Sequence, residues 1–212
     1  CSGLQQVTIK AGFVGESAFI RCTALRTVTV GSGVTGFGIS AFENCPGLTG
    51  VYISDLAAWC RIDFGGYLSN PLYGAKRLYL NDVELTDLQI PDGVTAISDY
   101  AFGDALSITS VTVPASVQRI GDYAFYQCSN IRTVNLPTSG LNRIGASAFD
   151  SCTNLGQIAI PDSVSYVGNA AFAWTPIGRV NVKQGVIEGH AFEGCGCITD
   201  VALGSGVTFI GD

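Results

Sequence analysis

The chain is poor in several residue types that mark common classes of protein. Its 212 residues include no methionine, one histidine and two tryptophans, and only 13% are charged, about half of the usual quarter. No apolar run approaches the roughly 18 residues that span a bilayer, so we expect no membrane insertion from this stretch. Since 47% of the residues are hydrophobic, the chain still has ample material for a folded core.

Basic residues are also scarce. Eleven Lys and Arg, of which only Lys76 and Arg77 are adjacent, stand against seventeen Asp and Glu, which gives a net charge of −6. Nucleic-acid affinity rests on clustered basic side chains, so we expect no nucleic-acid partner. The only histidine, His190, has no second imidazole to complete a zinc site and no nucleophile and acid placed beside it. We therefore predict no catalytic, metal or cofactor site, and we do not expect an enzyme.

What the chain does contain is a repeated phrase, Ala-Phe-x-x-Cys or a close variant. Successive copies are 23, 60, 23, 24, 23 and 20 residues apart. Such a period indicates coils that bury their apolar side by stacking on one another. We predict about nine coils in a single repeat domain (1–212), cut inside its repeat from a longer protein. The pair ends at Phe19, Phe42, Phe102, Phe125, Phe149, Phe172 and Phe192.

Each coil carries a short segment in which apolar and polar residues alternate, the period of a strand with one buried face. We expect nine such strands to stack into one parallel sheet. Pro91, Pro114, Pro137 and Pro161 follow directly on strands, where the missing N–H ends a ladder at little cost. The strands are Val7–Ile9, Val28–Val30, Val51–Ile53, Leu88–Ile90, Val111–Val113, Val134–Leu136, Ile158–Ile160, Val180–Val182 and Val201–Leu203.

The Ala-Phe segment itself is predicted as a short helical turn. Asp99, Asp122 and Asn169 lie three residues before a Phe, where a side-chain oxygen could cap that turn.

The long gap between Phe42 and Phe102 predicts an atypical unit at about 54–87. Ser54–Cys60 is typical of a capped helical turn, with Trp59 roughly where Phe usually stands. Leu78–Leu85 is typical of a hairpin around Asn81-Asp82. Its extra aromatic residues either form an interaction surface or fill the core of a longer coil.

The phrase strand-Pro-x-x-Val-x-x-Ile-Gly-x-x-Ala-Phe-x-x-Cys-x-x-Leu, best seen in Ile90–Ile108 and Val113–Ile131, resembles the BspA-type leucine-rich repeat, also called the Treponema pallidum type. Ala105 and Thr175 replace its Cys. The resemblance implies a leucine-rich-repeat solenoid of right-handed coils of about 23 residues, with a parallel sheet on one face and short helical turns on the other. It also implies an extracellular or cell-surface location, in bacteria or protists, and host or microbial binding partners.

Six of the eight cysteines follow the repeat, so we predict that they are buried structural thiols. Cys60 and Cys197 lie off the pattern. The phrase Gly31-x-Gly33-x-x-Gly36 matches a dinucleotide-binding motif, but Gly204–Phe209 occupies the same place in another unit. A coil of this length has no room for a crossover helix.

Outward positions of the strands are the main candidates for ligand binding, because repeat arrays use such faces for extended contact. A soluble strand surface would show the same composition. The strand-face candidates are Thr8, Thr29, Tyr52, Gln89, Thr112, Asn135, Arg179 and Asn181. The candidates in the atypical unit are Trp59, Arg61, Tyr67 and Tyr73.

Three functions remain open at this point. The first is a non-enzymatic adhesion or binding module for a protein or glycan macromolecule, such as a host extracellular-matrix protein. The second is a rigid spacer that presents other domains of the parent protein. The third, an enzyme, lacks any group of residues that could perform the chemistry. We expect a monomer.

Overall fold

The computed structural model describes all 212 residues and is a parallel solenoid of about nine coils with few helices. The predicted fold class is therefore confirmed. A single apolar cluster of 55 buried residues runs through the coils from Cys22 to Cys195. The strands are β1 (Gln6–Val14), β2 (Thr27–Phe37), β3 (Gly50–Ile53), β4 (Asp63–Phe64), β5 (Leu78–Leu80), β6 (Val83–Glu84), β7 (Asp87–Gln89), β8 (Ala96–Ile97), β9 (Ser110–Thr112), β10 (Arg119–Ile120), β11 (Thr133–Asn135), β12 (Arg143–Ile144), β13 (Tyr166–Val167), β14 (Arg179–Ile187) and β15 (Asp200–Ile210). The helices are α1 (Leu56–Trp59), α2 (Leu72–Ala75) and the 3-10 helix Tyr67–Ser69.

The strands form two rows, one on either side of a corner in each coil. The first row is split into β1-β2-β3-β5-β6 and β7-β9-β11, while β8-β10-β12-β13 lie in the second row. β14 and β15 run through both rows and join the second sheet. β1 and β2 also run through both rows, and β4 pairs with the second half of β2. The single continuous sheet expected from the sequence is thus wrong in its continuity, although its strands are parallel.

The corner residue decides whether a coil carries one strand or two. Where proline stands at the corner, as in Pro91 and Pro114, the missing N–H interrupts the ladder and two short strands result. β2 and β15 have Gly31 and Gly204 there and continue round the bend as strands of 11 residues. A Cβ on Gly31 would lie 2.5 Å from the carbonyl oxygen of Lys10, so this close approach of two backbones requires glycine. The glycines of the dinucleotide-like motif therefore lie inside a strand.

Ile158–Ile160 was predicted as a strand and is not one. Its inward side chains remain buried, but the coil from Val134 to Ile158 has 24 residues and the next, to Val180, has 22. Each departs by one residue from the usual 23: the extra residue lies between Leu136 and Ile144, and the missing one lies between Phe172 and Val180.

The Ala-Phe segments are turns rather than helices. Each has a left-handed residue two positions before the Phe and another two after it, as at Tyr100 (φ 62°) and Asp104 (φ 62°). Their amides bond to the next coil, for example Phe102 N to Ala124 O at 2.8 Å. The expected caps are also wrong: Asp99 Oδ1 accepts from Asp122 N of the next coil at 2.9 Å. These side chains therefore hold neighbouring coils together.

The atypical unit contains one longer coil followed by a hairpin. Val51 pairs in parallel with Leu78, 27 residues further on, so Leu78–Leu80 also belongs to the first row. β5 then turns back at Asn81-Asp82 to pair antiparallel with β6, which confirms the predicted hairpin. α1 is capped as expected, because Asp55 Oδ1 accepts from Ala58 N at 2.9 Å. None of the three helices has the length and apolar character to cross a membrane.

Candidate binding surfaces

The strand-face candidates lie in three separate groups, because the first row is interrupted. Thr8, Thr29 and Tyr52 are neighbours in the β1-β2-β3 ladder. Gln89, Thr112 and Asn135 are neighbours across β7, β9 and β11. Arg179 and Asn181 lie on β14. All eight are exposed or partly exposed.

The first group contains a flat aromatic platform of two tyrosines, of which only Tyr52 was predicted from the sequence. Tyr52 pairs with Tyr79 across β3 and β5, and their rings stack at 4.6 Å with 10° between the planes. A Cβ on Gly50 would lie 3.0 Å from the Tyr52 ring and 3.1 Å from the Tyr79 ring, so glycine lets both rings lie against the sheet. Tyr79 could have been found, since Leu78-Tyr-Leu80 repeats the pattern of Val51-Tyr-Ile53.

Two shallow cavities open beside the predicted strand-face residues. One of about 200 Å³ is lined by Thr8, Thr29 and Tyr52 together with the hairpin turn at Asn81-Asp82. Another, of about 230 Å³, is lined by Arg179, Asn181 and the irregular segment 157–160. The first cavity lies between Tyr52 of the platform and the hairpin turn, so this end of the face has a concave surface next to the tyrosine rings.

Side chains of the middle group are already bonded to one another. Gln89 Nε2 donates to the carboxylate of Asp87 at 2.9 Å, and Asn135 Nδ2 donates to Thr112 Oγ1 at 3.5 Å. Hydrogen bonds from the Ser110 hydroxyl and from Gln89 lower the pKa of Asp87. This part of the face therefore has fewer free polar groups for a partner.

Trp59 is buried, with 1% of its surface exposed, and so it packs rather than contacts a partner. Its indole Nε1 donates to Ala101 O at 2.9 Å and its ring lies edge-on to Phe64. In a regular coil the amide of the repeated Phe donates to the Ala that precedes the next Phe, as Phe102 N does to Ala124 O. Phe42 N donates to Leu68 O, so Ser69, the next residue, occupies the position of the repeated Phe. Trp59 thus belongs to the packing of the longer coil and is not accessible to a partner.

The other candidates of the atypical unit differ in accessibility. Arg61 is exposed, Tyr73 is 37% exposed and Tyr67 is half-buried. Tyr67 donates its hydroxyl hydrogen bond to Asp104, which is buried and also forms an ion pair with Lys76. Burial and this bond raise the pKa of Tyr67. Asp104 was not among the predicted site residues; its signal in the sequence is an acidic residue inside the Ala101–Ala105 copy of the phrase, where Ala replaces the usual Cys.

The repeat cysteines form a ladder of free thiols along the coils. Cys22, Cys45, Cys128, Cys152 and Cys195 are buried, whereas Cys1 and Cys197 are exposed, so the prediction for Cys1 was wrong. Cys60, off the repeat, is also buried, and burial raises its pKa to about 12. His190 is exposed and its Nδ1 lies 3.3 Å from Glu193.

The leucine-rich-repeat class is defined by stacked coils. Each coil contributes a strand to a row, a turn with the repeated Phe, and a Leu or Ile after that turn. The family model described as BspA type Leucine rich repeat region matches six copies over residues 1–58 and 75–199. The chain belongs to this family.

Solved structures with the same fold are only distantly related in sequence. A leucine rich cell surface protein from Faecalibacterium prausnitzii is 22% identical, with a TM-score of 0.61 over 96% of this chain. The pneumococcal vaccine antigen PcpA is 15% identical, with a TM-score of 0.62 over 99% of this chain. The chain spans 60% of the first protein and 57% of the second. No curated protein matches it.

Proposed function

We propose that this protein is a non-enzymatic binding module of a surface or secreted protein, and that it contacts a macromolecular partner through the strand face around Tyr52 and Tyr79. The observation that carries the proposal is the stacked, partly exposed tyrosine pair. Tyrosine supplies a large contact area with a polar tip at low entropic cost, and it is enriched at the centres of interfaces. The adjoining cavity lined by Thr8 and Thr29 gives a partner a place to insert a side chain.

The proteins with the same fold support an extracellular location. One is called a cell surface protein and another a vaccine antigen, which favours an extracellular location for this chain as well. Protease digestion of intact source cells tests the location: loss of the protein before lysis is expected, and protection until lysis would contradict it.

Binding is tested by interferometry against immobilised extracellular-matrix proteins. We expect at least one to bind, and both Tyr52→Ala and Tyr79→Ala to weaken that binding at least about tenfold. Asn135→Ala, on the same face but outside the platform, is the matched control and should change little. If all three substitutions weaken binding equally, or if none of them weakens it, the binding site is not the Tyr52–Tyr79 pair.

A rigid spacer is the second candidate, favoured by the apolar cluster that continues through the coils. It predicts no binding to any protein of a broad panel, with light scattering showing a monomer in solution. Binding that Tyr52→Ala abolishes would contradict it.

A further inference from the structure

A larger cleft than the two cavities of the strand face lies elsewhere on the molecule, between two regular turns and the atypical unit. It has a volume of about 410 Å³, within the range of small-ligand sites. Phe42 and Pro46 contribute apolar surface, while Arg21, Thr23, Asn44 and Tyr73 contribute polar or aromatic groups. None of the strand-face candidates lines it.

Arg21 gives the cleft a positive charge that is free to bind. The side chain is exposed and takes part in no ion pair or side-chain hydrogen bond of the structure. Its backbone is fixed in the left-handed region (φ 54°), and its N–H donates to Glu43 O of the next coil at 2.9 Å. The backbone of Arg21 is therefore held in place at the edge of the cleft, and its guanidinium has no partner within the chain.

The remaining lining can recognise hydroxyl groups and an apolar ring face. Asn44 Nδ2 donates to Glu43 at 3.2 Å, which leaves its Oδ1 as an acceptor. The Thr23 hydroxyl has no partner within the chain and can donate or accept. Tyr73 is held by Tyr67 edge-on at 4.8 Å and by the Lys76 ammonium at 5.0 Å from its ring, and the exposed part of its ring borders the cleft.

We propose that this cleft binds a carboxylated sugar, a uronic or sialic acid residue of a glycan. The sugar carboxylate pairs with Arg21, a geometry in which arginine forms two parallel hydrogen bonds. The C–H face of the ring packs on Tyr73, and hydroxyl groups bond to Asn44 Oδ1 and to Thr23. A neutral sugar would leave the guanidinium without a charged partner.

The test is an amide NMR titration with free N-acetylneuraminic acid and glucuronic acid, with glucose as the neutral control. We expect saturable shifts at Arg21, Asn44 and Tyr73 with both acids, weaker binding at higher ionic strength, and little response to glucose. Arg21→Gln should lower the affinity by roughly tenfold or more, and Arg21→Lys should lower it less. Arg26→Gln, an exposed arginine outside the cleft, is the matched control.

Several results would overturn the proposal. These are equal binding of glucose and the acids, equal losses in Arg21→Gln and Arg26→Gln, or tighter binding of a peptide carboxylate than of either sugar acid. Unchanged thermal unfolding of Arg21→Gln shows that the variant is folded. Tyr52→Ala should keep full sugar binding, so that failure of the strand-face proposal and failure of this one are distinguishable.

Discussion

At the scale of single residues, the repeated Phe-x-x-Cys links each coil to the one before it. The Cys128 thiol donates to Phe102 O at 3.0 Å and the Cys152 thiol to Phe125 O at 3.2 Å. Phe125 O also accepts the amide of Cys128 at 3.2 Å, so one carbonyl is bonded within its coil and to the next. The cysteines are therefore small buried donors as well as apolar groups, and Ala105 shows that the backbone turn forms without the sulfur.

Removing one of these thiols should change how stability depends on pH. Burial raises the pKa of Cys128 from 9.0 to about 12. Below pH 9 the thiol is protonated in both states, and its contribution to stability is complete. Above pH 9 the unfolded thiol ionises while the folded one does not, so the free energy of unfolding should fall by about 1.4 kcal/mol per pH unit from this group.

Urea unfolding of the wild type and Cys128→Ala at several pH values above 9 checks this expectation. The variant should be less stable at neutral pH by about 1–2 kcal/mol, because it leaves a small cavity. Its stability should then decline less steeply with pH. Parallel pH profiles of the two proteins would show that the thiol remains accessible to ionisation in the folded state.

Asp104 should contribute more to stability than the exposed acids of the turn edge. Its side chain is 3% exposed and pairs with Lys76, which is 35% exposed. Asp104→Asn removes the charge beside Lys76, and we expect a loss of about 2 kcal/mol, below the cost of a fully buried pair because Lys76 reaches solvent. Asp99→Asn is the control: the side chains of Asp99 and its partner Arg119 are 39% and 41% exposed, so this variant should lose less than about 1 kcal/mol. Equal losses in urea unfolding would contradict this ranking.

At the scale of elements, turn chemistry was easier to predict than strand continuity. The hairpin at Asn81-Asp82 and the α1 cap at Asp55 follow from local residue preferences. The loss of strand structure at Ile158–Ile160 has no counterpart in the residue pattern of that segment, and the acceptor of Trp59 Nε1 lies 42 residues away along the chain. Neither can be read from a local pattern. Strand-face candidates could be predicted because side chains alternate, but the Tyr52–Tyr79 contact required knowing which strand follows β3.

The hairpin turn offers a substitution that should stabilise the protein. Asn81 and Asp82 both have positive φ, 51° and 65°, as expected of a two-residue type I′ turn, which prefers Asn-Gly. Asp82→Gly removes the Cβ that makes a left-handed backbone unfavourable, and it should add up to about 1 kcal/mol to the free energy of unfolding. Asp92→Gly is the control, at an exposed position whose φ is not positive. It should lower the free energy of unfolding by roughly a few tenths of a kcal/mol, because glycine raises the conformational entropy of the unfolded chain. A loss of stability in Asp82→Gly would mean that the Asp side chain has a structural role.

At the scale of the whole molecule, stability follows from contacts between neighbouring coils, as in other solenoids. The interface between the atypical unit and the coil that begins at β7 differs from the rest. No strand pairing crosses it. The backbone hydrogen bonds that join residues 54–80 to the coil that begins at β7 are Ser98 N to Cys60 O and Ser107 N to Lys76 O. Side chains supply much of the remaining contact, including Trp59 and the Asp104 ion pair.

This interface is therefore expected to separate first when its side-chain contacts are weakened. Trp59→Phe removes the bond to Ala101 O and part of a buried ring, at a cost of about 2 kcal/mol. By hydrogen-exchange mass spectrometry, residues 6–80 should exchange faster as a unit while 87–187 keep most of their protection. Trp174→Phe, at the other and exposed tryptophan, is the matched control, and it also leaves Trp59 as the only indole for following the interface by fluorescence. Uniform acceleration of exchange in Trp59→Phe would mean that the coils unfold as one cooperative block, with the side-chain interface as strong as the backbone ladders on either side of it.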